Sequence, residues 1–259
     1  MTIERDRAIV VGRSRGGGES RVLTFLTSGH GRVKLYYRLF PRRLRREFLD
    51  TLQCGELLYT PATASRPGRL HSFDCEEVWP PVREDFDRLV HALHFAALAG
   101  HVAPEGEASG DIFELLKNSL DQLSRPGDPE ALRVVFELKL LKVSGFEPSL
   151  ERCYSCLRPV VTEGASFSAR GGGVVCEECL AVRRDPVQRL SGGSLALLRK
   201  ALVISADRAG RLRIGAELKK EIFPLMEETV SLALECPSPS TDFLNGPAVR
   251  GRPGRRTSL

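Results

Sequence analysis

The chain has 259 residues, of which 42% are hydrophobic and 27% charged. This composition excludes wholesale disorder, and the length is near the point where one hydrophobic core stops growing, so two or three units are expected. The net charge of +5 is uneven: residues 1–50 hold 12 Lys/Arg against 5 Asp/Glu, residues 247–259 hold four Arg and no acid, and the acidic excess lies between them. Basic ends point to a polyanion partner. No run has the roughly 18 apolar residues of a membrane span, and the opening residues lack a secretory pattern, so a soluble, cytoplasmic protein is expected.

Residues 5–80 read as strands. Ala8 to Val11 is an apolar run followed by a Gly-rich loop from Gly12 to Gly18. Arg21 to Thr27 is the next strand, and Ser28-Gly29-His30-Gly31 is a hairpin signal. Arg32 to Phe40 alternates, with Val33, Leu35, Tyr37 and Leu39 on one face and Arg32, Lys34, Tyr36, Arg38 and Phe40 on the other. Two weaker strands, around 55–60 and 70–78, flank a loop from Pro61 to Gly68. Five short strands in so little chain predict a small closed barrel, since an open sheet leaves exposed edges.

After Trp79-Pro80-Pro81 the period becomes helical, with Phe86, Leu89, Val90, Leu93 and Ala97 on one side. Asp111 is placed to cap a second helix. Asp128-Pro129 is an N-cap followed by Pro in the first turn, and Gly145 ends the helix it starts. That helix is apolar nearly all round, which predicts a place at the centre of a bundle. A cysteine-bearing insertion spans 150–185. Further helices follow Ser191 and cover about 216–234, the last with Pro224 inside, where a kink or a split is expected. The fold class is therefore α+β: a barrel over 1–80, a helical domain over 81–149 and 186–245, an insertion over 150–185, and a disordered basic tail over 246–259.

Cys153-Tyr-Ser-Cys156 and Cys176-Glu-Glu-Cys179 are separated by 19 residues. Two such pairs can each grip one tetrahedral ion, and four thiolates close its shell to water. One structural zinc ion bound by Cys153, Cys156, Cys176 and Cys179 is the expectation, with Gly171-Gly172-Gly173 returning the chain. Cys54, Cys75 and Cys236 fall outside this spacing and read as small buried hydrophobes.

The second constellation is basic and aromatic. Arg32, Lys34, Tyr36 and Arg38 share a strand face, Arg42, Arg43, Arg45 and Arg46 follow at once, and Arg13 and Arg15 sit in the first loop. Cations pair with phosphates and rings stack on bases, which is what sequence-tolerant single-strand binding requires. The segment from Gly12 to Gly16 matches G-x-S-x-G, but no helix follows it as a nucleophile elbow needs. Asp87, His91 and His94 share a helical flank and read as satisfied surface groups. The chain has no phosphate-binding P-loop, deaminase or dinucleotide fingerprint. An enzyme is not expected.

Several segments together resemble the bacterial RecO recombination mediator family. These are Glu19-Ser20-Arg21-Val22-Leu23, Thr27 to Val33, Phe136 to Leu141, Gly145-Phe146-Glu147-Pro148 ahead of Cys153, Phe167-Ser168, Gly172-Gly173, Arg189-Leu190-Ser191, and Pro239-Ser240 to Phe243-Leu244. The resemblance implies an oligonucleotide-binding (OB) barrel, a helical domain and a zinc finger. It also implies a non-enzymatic role in DNA repair: binding single-stranded DNA, annealing complementary strands, and acting with RecR and single-stranded DNA-binding protein to help RecA load. The chain departs from the family pattern at Leu157, where a glycine often stands, at Leu39-Phe40-Pro41, and at Pro224. The rival readings are an interaction scaffold that binds no DNA and a zinc-ribbon protein associated with RNA or transcription.

Overall fold

Five strands close the start of the chain into a barrel. In the computed structural model, which describes residues 3–15, 20–38, 49–160, 164–182 and 186–236, these are β1 (Glu4–Arg15), β2 (Ser20–Thr27), β3 (Gly31–Arg38), β4 (Cys54–Thr60) and β5 (Gly68–Glu77). Their order is β1-β2-β3-β5-β4, with β4 pairing back onto β1. β3 and β5 meet in parallel, through Leu35–Gly68 and Tyr36–Arg69, and every other contact is antiparallel. This is an OB barrel.

Alternation places Ala8, Val10, Leu23, Phe25, Leu35, Leu57 and Tyr59 inside the barrel. Ile9, Val11 and Leu26 point outward, yet they too are buried, because the helices cover that side. The loop predicted from Gly12 does not start there, and Gly16 to Gly18 lie outside the described residues. β1 continues to Arg15, paired residue by residue with β2, and a bulge between Val10 and Gly12 absorbs the change of register.

The helices α1 (Pro80–Arg83), α2 (Phe86–Val102), α3 (Gly110–Leu123) and α4 (Pro129–Val143) follow. Asp128 caps α4 by accepting from the N–H groups of Glu130 and Ala131, and Gly145 takes φ +84° just beyond its end. α4 is the central helix, buried from Ala131 to Leu138. Asp111 does not cap α3. Ser109 holds that position, its C=O accepting the first intrahelical bond from Phe113 N–H at 2.9 Å and its N–H donating to Ser28 O at 3.2 Å, and Asp111 lies in the first turn.

The rest of the described chain comprises β6 (Gly164–Ser168), β7 (Gly173–Val175), α5 (Glu177–Val182), β8 (Gln188–Ser191), α6 (Gly192–Val203), α7 (Ala206–Ala209) and α8 (Ala216–Leu234). β7, β6 and β8 form a small sheet, and its Phe167, Val174 and Leu190 join the core of the helices. α8 runs unbroken through Pro224, contrary to the expected split. Proline removes one backbone donor, but Ile222, Leu225, Met226 and Val230 are buried on both sides of it and hold the helix together.

The barrel is fastened to the helices at the β2–β3 hairpin. Arg32 N–H donates to Pro104 O at 2.8 Å, and Gly106 N–H donates to His30 O at 3.0 Å. Between them Gly31 has φ +62°, and a Cβ there would lie 2.1 Å from Pro104 O, so only glycine permits this approach.

Candidate metal centre and nucleic-acid interface

The two cysteine pairs meet because backbone bonds stitch the first onto β7. Ser149 N–H donates to Gly172 O, Val174 N–H to Ser149 O, and Tyr154 N–H to Val174 O, at 2.8–2.9 Å. Gly171 lies under the Tyr154 ring, where a Cβ would come within 2.3 Å of Cζ. The predicted glycine turn therefore also makes room for an aromatic ring.

The ligand sulfurs of Cys153, Cys156, Cys176 and Cys179 all lie within 4.8 Å of one another, a set that can hold one metal ion. Cys156 Sγ and Cys176 Sγ are 3.6 Å apart. A tetrahedron with metal–sulfur bonds of about 2.3 Å has edges of about 3.8 Å. Burial works against ionising Cys153, but the backbone N–H groups of Cys156, Cys176 and Ser155 outweigh it and bring the thiol down to about 6. Hydrogen bonding with the Cys176 thiol instead pushes Cys179 up to about 12. Four sulfurs this close cannot all ionise without a cation among them, so the donor set fits a metal. Leu157 closes the first turn at φ +63°, the left-handed region that favours glycine.

On the barrel, Lys34 and Tyr36 project from the same side of β3 and are exposed. Arg32 shares that side but is largely engaged: Nη1 donates to Gly100 O at 3.1 Å and His101 O at 3.3 Å, at the end of α2. Glu105 accepts from both Arg32 Nε and Lys34 Nζ through one oxygen, each at 3.1 Å. Arg13 pairs with Leu23, on the strand side opposite to Lys34, and lies 3.5 Å from Asp50. Arg15 and Arg38 end β1 and β3, but their side chains fall outside the described residues, as do Arg42, Arg43, Arg45, Arg46, the tail from 246 and the segment from Pro239 to Leu244.

Sequence reasoning missed Arg69, exposed and paired in register with Tyr36, and Arg66 in the β4–β5 loop. The signal was available, since that loop flanks the ligand face of OB barrels. It also missed Asp6, a buried carboxylate accepting from Ser28 Oγ at 2.7 Å, His30 Nδ1 at 2.9 Å and Gly29 N–H at 3.0 Å. Burial alone would raise its pKa, but the bonds from Ser28 and His30 prevail and lower it.

His91 and His94 are not surface groups. Both are buried; His91 Nδ1 donates to Asp87 O, and His94 Nε2 donates to Glu137 at 2.7 Å. Cys54 and Cys236 are buried as expected, whereas Cys75 is only half-buried, near the end of β5. Among the described residues no helix is long and apolar enough to cross a membrane.

Residues 83–242 match the family model described as Recombination protein O C terminal. The chain is also similar to proteins named DNA repair protein RecO. That of Pelotomaculum thermopropionicum is 31% identical over 95% of this chain and 94% of its own length. That of Pelobacter propionicus is 32% identical over 77% and 81%. That of Symbiobacterium thermophilum is 30% identical over 87% and 90%.

Proposed function

Because the chain belongs to the RecO family of DNA repair proteins, we propose that it is a non-enzymatic recombination mediator. It binds single-stranded DNA, anneals complementary strands and, with RecR, helps load RecA onto DNA coated with single-stranded DNA-binding protein. The observation that carries this reading is Tyr36, 44% exposed on the barrel, with Lys34 and Arg38 two residues either side and Arg69 as its register partner. A ring among cations can stack on a base while phosphates are neutralised beside it, for about 1–3 kcal/mol per stacked base.

The work is electrostatic and geometric. Cations reduce the repulsion between two phosphate backbones, and the aromatic, basic face of β3 holds bases unstacked and ready to pair. Arg13, Arg15, Arg32, Lys34, Tyr36, Arg38 and the cluster Arg42, Arg43, Arg45 and Arg46 are the proposed contacts, to which Arg66 and Arg69 are added. The domain boundaries remain those read from the sequence. The ion at the four cysteines is assigned as zinc, since an all-thiolate tetrahedral set favours it, and its role is to hold the finger folded.

The test is annealing of complementary oligonucleotides precoated with the cognate single-stranded DNA-binding protein, with and without this protein and RecR. Faster annealing without ATP is expected. No acceleration at low salt with RecR present would remove the mediator reading, and preference for RNA would favour the transcription-associated one.

A further inference from the structure

Arg32 and Lys34 come from neighbouring positions on one strand face, and both bond to a single oxygen of Glu105 in the loop between α2 and α3. The loop is held there by the backbone bonds at Pro104 and Gly106, so the carboxylate is delivered to the two cations by the fold. The Arg32 guanidinium is oriented by two carbonyls at the end of α2. An arginine held by carbonyls beside a lysine, bridged by one anionic oxygen, is the arrangement a phosphodiester oxygen would also find.

Lys34 and Glu105 are both more than half exposed, at 56% and 55%. An exposed ion pair contributes little, so an incoming phosphate can displace the carboxylate at small cost. The bond from Lys34, with the charges of both cations, holds the Glu105 carboxyl below its ordinary range, so at neutral pH it is an anion and not a bystander.

We propose that Glu105 is a built-in competitor for DNA phosphate at Arg32 and Lys34, and that it limits how tightly the barrel holds single strands. The proposal rests on the single-strand-binding reading above. A mediator that anneals strands must also release them, and an internal anion that refills the site makes release easier. Displacement breaks no covalent bond and exchanges one anionic oxygen for another.

The experiment measures binding of full-length protein to a fluorescent oligo-dT strand across a salt series. The proteins are wild type, Glu105→Gln, Lys34→Ala, the double variant, and Glu107→Gln as a control carrying the same charge change in the same loop. Thermal unfolding of each confirms that it is folded. Glu105→Gln should bind about two- to fivefold tighter at low salt. Its log–log salt slope should be steeper by about 0.7, one additional phosphate. The gain should vanish in the Lys34→Ala background and be absent in Glu107→Gln.

Equal or weaker binding by Glu105→Gln, with a wild type that does bind, overturns the proposal and leaves the function reading intact. A gain that survives in Lys34→Ala, or that Glu107→Gln reproduces, also overturns it, since that is general charge and not competition at this site. If no protein in the set binds, the single-strand reading fails and the proposal with it. Binding that appears only in Glu105→Gln supports the competitor role.

Discussion

Arg133 donates its Nε to Glu137 Oε1 at 2.8 Å across one turn of α4, and both side chains are almost fully buried. The same oxygen accepts from His94 Nε2 at 2.7 Å, which ties α2 to α4 and requires the His94 proton on Nε2. Arg133 also lies over the Phe223 ring, 5.3 Å from its centroid, so α8 joins the cluster. Three helices therefore share one buried charge network. Such a network costs desolvation to form, and removing one member leaves another charge buried without its partner.

Glu137→Gln should therefore destabilise the protein by about 3–5 kcal/mol at neutral pH, read from denaturant midpoints. Burial opposes ionisation of Glu137, but the Arg133 charge and the His94 bond prevail and lower its pKa from the ordinary 4.5. A carboxylate lowered on folding adds stability above the unfolded value and loses it as pH falls through the folded one. Wild type should thus lose this share below pH 4.5, and Glu137→Gln should lose less over the same range. Parallel pH profiles would show that the carboxylate does not act as described.

Leu157 stands at φ +63° and is 65% exposed, so its side chain does little for the finger while its backbone is strained. A left-handed residue costs about 1–2 kcal/mol, offset in part by the entropy glycine loses on folding. Leu157→Gly should raise the stability of the metal-loaded protein by about 0.5–1 kcal/mol, whereas Leu157→Ala should not. A loss with glycine would refute the strain account.

Gly31→Ala should be severe. The new Cβ meets Pro104 O at 2.1 Å and Glu107 O at 2.7 Å, both rigid backbone atoms, at a positive φ. We expect a loss of more than about 2 kcal/mol and faster amide exchange at Arg32 and Gly106, the residues that fasten barrel to helices. Unchanged exchange there would mean that the hairpin contact is not what couples the two parts.

Removal of the metal should act first on the finger. A strong chelator should release one ion per chain, expose residues 150–185 to protease and lower the thermal transition, because this segment has little core of its own. Cys156→Ser should do the same without chelator. An unaltered transition after complete metal loss would argue against a structural ion.

Much of the fold was legible because its causes are local. The alternation from Arg32 onward marked a strand with one basic face, Asp128-Pro129 and Gly145 bracketed the central helix, and the spacing of Cys153, Cys156, Cys176 and Cys179 foretold their meeting. Where a local rule met tertiary packing, packing won: α8 carries Pro224 without breaking, because its buried side chains are held on both sides.

The amino-acid sequence by itself determined which residues face together, since strand and helix periods depend only on backbone geometry. What covers each face was decided by the tertiary structure alone. Glu105 reaches Arg32 and Lys34 from more than 70 residues away, His94 finds Glu137 from 43 away, and a single bulge moves Arg13 to the other side of its strand. Those pairings follow from how the barrel docks on the helices, through Gly31 and the loop after α2. Charges far apart in the chain carry no local signal of the partner that docking brings to them.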